Sequence, residues 1–187
     1  MEIPLLPLDD TELMRQVRAG RGDLVGLLFD RHYRPLFGFF MNLTRQPALS
    51  EDLTQEVFLR VLRYSASFKE GSAFRPWLYR IARNVLADHQ SRLQPLTHLQ
   101  EAEQVADTRP DAHQVAEAHA DRVLLGQALS RLPQEKRELL LLYKDPDLSS
   151  QDLATIFGCT PSTLKVRVHR AMNDLRSLFF QPQEVTS

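Results

Sequence analysis

Residues 159–176 read CTPSTLKVRVHRAMNDLR, and this stretch decides how the chain is interpreted. Pro161 stands near its start, where a helix loses nothing from a missing backbone N–H. Apolar residues then recur at spacings of four and three, which is the period of one helix face: Leu164, Val168, Ala171, Leu175 and Leu178. The stretch therefore predicts a helix over Pro161–Phe179 that buries one edge and exposes the other.

The exposed edge of this helix is polar and basic. Its side chains are Ser162, Val166, His169, Arg170 and Asn173, and Lys165 and Arg167 flank them. Such an edge fits the major groove of DNA, with Arg170 on guanine, Asn173 on adenine and Val166 on a thymine methyl. The two flanking cations would lie near phosphates. An ordinary solvated surface helix is the alternative interpretation.

The ten residues before this helix complete a helix-turn-helix pattern. They read SSQDLATIFG over 149–158. Ala154 is small where two helices must cross, and Gly158 supplies the corner between them. Leu153 and Phe157 fill the space beneath, together with Leu164. The segment predicts a DNA-binding unit.

Composition and charge describe the rest of the chain in outline. With 187 residues, 43% of them hydrophobic and 25% charged, the chain is long enough for one ordinary domain or two small ones. A single cysteine fits a reducing compartment. No run of about 18 apolar residues is present, and the start MEIPLLPLDD lacks a basic region. We therefore expect a cytoplasmic protein without membrane insertion.

A net charge of −1 hides an uneven distribution. Residues 1–92 hold 13 basic and 11 acidic side chains and residues 122–187 hold nine and seven, whereas residues 93–121 hold one and six. The middle segment also lacks aromatic residues, so it buries little apolar surface. These patterns predict an all-α fold with two small helical domains, 1–92 and 121–187, joined by a flexible acidic linker over 93–120. Whether the acids of the linker mimic nucleic acid or only aid solubility stays open.

The hydrophobic period is helical almost everywhere, without a convincing alternation of period two. Glycines fall between the periodic segments, and cap-type residues begin several of them. The pattern predicts eight helices: Asp10–Ala19, Asp23–Leu43, Ser50–Ser65, Ala73–Ser91, Asp121–Arg131, Gln134–Tyr143, Ser149–Phe157 and Pro161–Phe179.

The stretch SEDLTQEVFLRVLR, residues 50–63, combines a buried face with an unusual exposed one. The apolar face is predicted to hold Leu53, Val57, Phe58, Val61 and Leu62. On the other face Leu59 is surrounded by polar and charged side chains, like a small contact anchor with a polar rim. The surrounding residues are Asp52, Gln55, Glu56, Arg60 and Arg63. A solvated helix face is the alternative.

The stretch FKEGSAFRPWLYRIARN, residues 68–84, mixes aromatic side chains with arginines. Its core stripe is predicted to be Phe74, Leu78, Ile81 and, just beyond, Val85. Trp77 and Tyr79 lie off that stripe. They stand among Arg75, Arg80, Arg83 and the more distant Arg92. Rings that stack on bases and guanidiniums that hold phosphates suit single-stranded DNA. Trp77 and Tyr79 as core aromatics remain the alternative.

Taken together, these blocks resemble an extracytoplasmic-function (group 4) sigma factor of the sigma-70 family. DLTQEVFLRV (52–61) resembles region 2.2 of that family, and AFRPWLYRIARNVLADH (73–89) resembles regions 2.3 and 2.4. LSRLPQEKRELLLLY (129–143) resembles the opening of region 4, and TPSTLKVRVHRA (160–171) resembles its recognition helix. The resemblance covers about residues 9–92 and 121–178.

The resemblance implies a division of roles between the two domains. The 52–60 face would grip the clamp helices of the RNA polymerase β′ subunit, with Leu59 as the apolar contact and Asp52, Gln55, Glu56 and Arg60 as the polar ones. A base of the −10 element would be flipped into a pocket beside the loop SFKEGSAF. Asn84 would read that base, and Phe68 would line the pocket. The second domain would bind the β flap and the −35 element, and an anti-sigma factor would control both domains.

No catalytic constellation, glycine-rich phosphate loop or metal-ligand spacing is evident. The sequence therefore predicts no enzyme activity, cofactor or small-molecule substrate. A stand-alone helix-turn-helix regulator is the rival interpretation, with residues 1–92 as a sensor or dimerisation domain. A protein-interaction adaptor that does not touch DNA is a third.

Overall fold

The structure, a computed structural model, describes residues 8–93 and 116–180. Over these ranges it has eight α-helices and two short 3₁₀ turns, at Gly22–Leu24 and Ser65–Ser67. The helices are α1 Asp10–Arg18, α2 Val25–Thr44, α3 Pro47–Arg63, α4 Phe74–Leu93, α5 Ala116–Arg131, α6 Gln134–Tyr143, α7 Ser150–Ile156 and α8 Pro161–Phe180. Helices α1 to α4 form one compact unit, and most of α5 to α8 forms a second. The predicted all-α fold is confirmed.

Two helices begin earlier than the sequence pattern predicts. Helix α3 starts at Pro47 in place of Ser50, because proline is favoured at the first helical position, where its missing N–H costs nothing. Ser50 is buried, and its hydroxyl donates to the Gln46 carbonyl at 2.7 Å. Helix α5 starts at Ala116, so its first turn lies in the segment predicted as linker. The rest of that linker prediction, residues 94–115, lies outside the described residues.

The first unit has an aromatic-rich core between α2, α3 and α4. A two-residue link joins α2 to α3, and the Phe29 and Phe58 rings lie 4.9 Å apart, so the two helices run antiparallel. The predicted α4 core stripe is confirmed, since all four of its residues are buried. The placement of Leu62 in the core is wrong, because this side chain is 42% exposed. It lies in the last turn of α3, close to Gly22 in the first 3₁₀ turn.

A carboxylate at the start of α1 binds two side chains of α2. Asp10 accepts hydrogen bonds from Arg31 Nη1 at 2.8 Å and His32 Nε2 at 2.6 Å. Burial raises the pKa of Asp10, but the bonds from Arg31 and His32 outweigh it and leave that pKa lowered. Burial also lowers the pKa of His32. The pair therefore consists of a neutral imidazole that donates to an ionised carboxylate.

The second unit packs α8 against α5 and α6. Leu132, Leu140 and Ala171 form a buried cluster, and Leu129, Leu175 and Leu178 pack around it. The predicted apolar stripe of α8 is confirmed as the edge that holds this unit together. Ser149 caps α7 as predicted, since its hydroxyl accepts from Asp152 N at 3.1 Å while Asp152 accepts from Ser149 N at 2.9 Å.

The corner of the helix-turn-helix depends on Gly158. Its φ is +60°, in the left-handed region, and the next amide, Cys159 N, donates to the Ala154 carbonyl at 3.0 Å. Thr160 then caps α8 by accepting from Thr163 N at 3.2 Å. The turn between α7 and α8 is thus set by one backbone conformation and one cap.

Replacing Gly158 with alanine should destabilise the second unit by about 1–2 kcal/mol, the cost of a left-handed L-residue. A Cβ there would meet no atom within 4 Å, so backbone strain is the only source of that loss. Gly38→Ala is the matched control: its Cβ is equally free of contacts, but Gly38 lies inside α2. This control should stabilise the protein by about 0.5–1 kcal/mol. Urea unfolding measures both, and equal effects would contradict the assignment of the turn.

Candidate nucleic-acid interface

Helix α8 presents all seven side chains of the predicted DNA-reading edge to solvent. The exposed residues are Ser162, Lys165, Val166, Arg167, His169, Arg170 and Asn173. Val166 is 50% exposed although it is apolar. The residues that alternate with them, Leu164, Val168 and Ala171, are buried. One helix therefore separates a structural edge from an accessible basic edge, as its sequence period predicts.

Two of the three lysine and arginine side chains on this edge have no ion-pair or hydrogen-bond partner among the described residues. Lys165 and Arg170 form no hydrogen bond or ion pair with any residue that the structure describes. Arg167 pairs with Glu135 at 3.2 Å, but both side chains are well exposed, and such pairs contribute little. Replacing Glu135 by a phosphate as the partner of Arg167 would therefore cost little free energy.

Two further contacts shape the same edge. Asn173 and His169 lie one turn apart, with Nδ2 and Nε2 3.1 Å from each other. Lys136 on α6 binds Asp174 at 2.5 Å, so the acid nearest the edge is paired within the unit. The contribution of Lys136 was missed from the sequence, because its contact with Asp174 spans 38 positions. The edge that remains is net positive.

Helix α3 displays the predicted apolar anchor. Leu59 is 56% exposed, and Asp52 and Gln55 are exposed on the same helix. Glu56 is half-buried. The surface of the first unit therefore carries an exposed leucine with polar neighbours, as the sequence predicts.

Arg60 differs from the rest of this group. Its side chain is only 14% exposed, and it donates to Glu56 Oε1 at 2.8 Å and to Asp88 Oδ2 at 2.6 Å. These two carboxylates, Glu56 first, raise the pKa of Arg60. Because Asp88 belongs to α4, the guanidinium joins α3 to α4. No sequence pattern points to Asp88, because its contact with Arg60 spans 28 positions and depends on the packing of the two helices.

The aromatic side chains predicted to meet single-stranded DNA lie in the core of the first unit. Phe68, Trp77 and Tyr79 are 2%, 7% and 3% exposed. The Phe68 and Trp77 rings meet edge to face with centroids 5.3 Å apart, and Tyr79 meets Phe39 in the same way at 5.7 Å. This placement favours the packing role that the sequence left open for Trp77 and Tyr79.

The polar residues of α4 divide by exposure. Arg80 and Asn84 are exposed, whereas Arg75 and Arg83 are half-buried. Arg80 and Asn84 are four apart and so share one face of the helix. The accessible part of the predicted −10 surface therefore consists of one cation and one amide, with the aromatic cluster behind them.

These features define a class of protein: an all-helical transcription factor with a helix-turn-helix unit and a separate helical unit. The family model "Sigma-70 region 2" matches residues 28–95, and "Sigma-70, region 4" matches residues 122–175. The RNA polymerase sigma factor CarQ of Myxococcus xanthus is 32% identical over 168 residues, 88% of this chain and 94% of CarQ. The ECF RNA polymerase sigma factor EcfG of Rhodopseudomonas palustris is 32% identical over 146 residues, 78% of this chain and 79% of EcfG. The chain belongs to the extracytoplasmic-function sigma factors of the sigma-70 family.

A solved structure supports the same assignment. The sigma factor RpoE of Bartonella quintana, in complex with the anti-sigma factor NepR, matches with a TM-score of 0.62 and 25% identity. The match covers 82% of this chain and 94% of RpoE. Among the described helices of this chain, none is long and apolar enough to cross a bilayer.

Arg60→Ala should destabilise the first unit by about 0.5–1.5 kcal/mol, since it removes the hydrogen bonds between α3 and α4 while water can still reach the two carboxylates. The exposed Arg63, three residues on, is the matched control, and its replacement by alanine should change stability by less than about 0.5 kcal/mol. Thermal unfolding followed by circular dichroism measures both. Equal stabilities of the two variants would show that the bridge from α3 to α4 contributes nothing.

Proposed function

We propose that this chain binds core RNA polymerase through its first unit and directs it to promoters with defined −10 and −35 elements. The observation that carries the proposal is the uncommitted basic edge of α8, with Lys165 and Arg170 free of partners among the described residues. Membership of the family supports a role in transcription initiation, since a sigma factor is an initiation factor and not a catalyst. We propose on the same grounds that the protein works in the cytoplasm.

The second unit reads the −35 duplex in this proposal. Arg170 forms two hydrogen bonds to a guanine, Asn173 binds adenine, and Val166 contacts a thymine methyl. Lys165 and Arg167 hold phosphates on either side, while Ser162 and His169 complete the contact edge. The near-zero net charge of the chain fits a protein whose nonspecific DNA affinity comes largely from the polymerase.

The first unit docks on the polymerase through α3. Leu59 is the apolar anchor for the β′ clamp helices, and Asp52, Gln55 and Glu56 form the polar rim. We assign Arg60 an indirect role there, because its guanidinium is already bound to Glu56 and Asp88. The second unit binds the β flap.

The first unit also opens the −10 element. Asn84 reads a flipped base, since a side-chain amide offers both a donor and an acceptor to a base edge. Arg80, the exposed cation of α4, holds the displaced strand, the half-buried Arg75 and Arg83 border it, and Phe68 lies at the pocket wall. Trp77 and Tyr79 support α4 from within the core, in keeping with their burial.

Control by an anti-sigma factor completes the proposal. The similar RpoE forms a complex with the anti-sigma factor NepR. Because an apolar anchor and a basic edge lie open on the two units, a partner that covers either one would block initiation.

The test adds the purified chain to core polymerase and a promoter library and sequences the transcripts. Initiation at defined sites with two spaced elements supports the proposal. A stand-alone regulator would instead bind an operator without polymerase, so tight operator binding together with no initiation would overturn it.

Leu59→Asp should abolish polymerase capture while the fold remains intact, because a carboxylate cannot enter an apolar contact without a large desolvation cost. Leu27→Asp is the matched control, since Leu27 is another exposed leucine of the same unit. Co-elution with core polymerase is the readout. If the Leu59 variant still co-elutes, the docking face lies elsewhere.

Arg170→Ala should weaken the preference for the −35 element by about 1–3 kcal/mol. Arg176 is exposed on the same helix but outside the reading edge, so Arg176→Ala serves as the control for lost charge. Promoter profiles are compared between the two variants. An unchanged profile in the Arg170 variant would remove that residue from the reading edge.

A further inference from the structure

His169 and Asn173 form a side-chain pair on the exposed edge of α8. The two residues are four apart, so they lie one above the other on the helix, and Asn173 Nδ2 is 3.1 Å from His169 Nε2. Both side chains are exposed, whereas Val168 and Ala171 of the same turns are buried. The core packing of α8 therefore fixes the backbone beneath the pair.

The chemistry of the two side chains decides the direction of this hydrogen bond. An amide nitrogen can only donate, so His169 Nε2 has to be the acceptor. A ring nitrogen accepts only when it carries no proton, and the proton of a neutral imidazole is then on Nδ1. The contact therefore requires the neutral Nδ1–H form of His169.

The bond leaves Asn173 with a defined set of free hydrogen-bonding groups. A side-chain amide has two N–H groups and one carbonyl oxygen. His169 takes one N–H, and Asn173 Oδ1 forms no hydrogen bond with any residue that the structure describes. One donor and one acceptor of the amide therefore remain available to a ligand.

The charged neighbours of Asn173 do not compete for its amide N–H groups. Asp174, the next residue, binds Lys136 on α6 at 2.5 Å, so its carboxylate is already engaged. Arg170 and Arg176 lie three residues away on either side, and a guanidinium cannot accept from an N–H. The pairing of Asn173 with His169 is therefore compatible with the charges around it.

The remaining donor and acceptor match one purine better than the other. In the major groove, adenine presents the N7 acceptor beside the N6 amino donor, whereas guanine presents two acceptors, N7 and O6. An amide with one free N–H and one free oxygen satisfies both groups of adenine but only one of guanine. Without His169, the second N–H would also be available to guanine.

We infer that His169 is a positioning residue that restricts Asn173 to adenine by taking one of its two amide N–H groups. The inference rests on the proposed function, since it concerns how α8 reads the −35 duplex. His169 acts through Asn173 in this role. The choice between adenine and guanine at one base position is thus set by two side chains that lie one turn apart.

The test uses the full chain with core polymerase and a promoter library in which the −35 element is randomised. Asn173→Ala identifies the position that Asn173 reads, because the adenine preference there should be lost. At that position His169→Ala should reduce the preference for adenine over guanine about three- to tenfold, the effect of one hydrogen bond. His169→Gln should restore most of the preference, because its carbonyl accepts from the same N–H.

Two further variants separate the pair from general effects of charge. His169→Lys should shift the position toward guanine, because an ammonium group only donates and takes Asn173 Oδ1, which leaves both N–H groups for the base. Met172→Lys adds the same charge to an exposed site of α8 outside the reading edge and should leave the adenine preference unchanged. Urea unfolding verifies that each variant is folded.

Nitrogen NMR of the protein alone tests the pair without DNA. His169 should show the Nδ1–H form, and Asn173→Ala should shift the ring toward the Nε2–H form, since the donor to Nε2 is then missing. A purely structural role of His169 would not produce this change. A dominant Nε2–H form in the wild-type protein would overturn the inference.

The outcomes distinguish the inference from the proposed function. If the His169→Ala variant keeps the wild-type preference for adenine, the inference is overturned while the proposed function stands. If the wild-type protein with polymerase shows no −35 preference at all, both are overturned. A preference that falls in the His169→Ala variant and returns in the His169→Gln variant supports the inference.

Discussion

The burial of one edge of α8 is the interaction on which the second unit depends. Ala171 and the leucines around it fix this helix against α5 and α6. Because a helix has only 3.6 residues per turn, fixing that edge also fixes which side chains face outward. Core packing therefore determines which side chains form the basic edge. In the proposed contact with DNA only the side chains of these cations would have to be ordered, because the helix backbone beneath them is already fixed.

In the proposed function the first unit carries two surfaces at once. The proposed docking surface lies on α3 and the proposed strand-binding surface on α4. Arg60 connects them through Glu56 and Asp88, from a nearly buried position. Both carboxylates are partly exposed, so these ion pairs add little net stability. They nevertheless place a charged contact between α3 and α4 beside the aromatic core.

Most of the fold and the α8 edge were predictable from sequence, because both follow from the period of apolar residues. The helix-turn-helix corner was predictable from Gly158, the one residue type that accepts its backbone conformation freely. The sequence pattern could not predict which side chains contact each other between helices. Nothing in the pattern links Arg60 to Asp88, and the pattern alone could not decide that Trp77 and Tyr79 belong to the core. Leu62 was misplaced because it lies one residue before the end of α3, where 42% of the side chain stays exposed.

The contact of Asp10 with His32 makes the first unit sensitive to acid. Folding holds the pKa of both groups below their ordinary values of 3.8 and 6.5. The folded form therefore binds fewer protons than the unfolded chain, and its stability declines as pH falls through 6.5 and again below 3.8. Since this contact joins α1 to α2, a fall in pH removes part of the free energy that holds the N-terminal helix on the first unit.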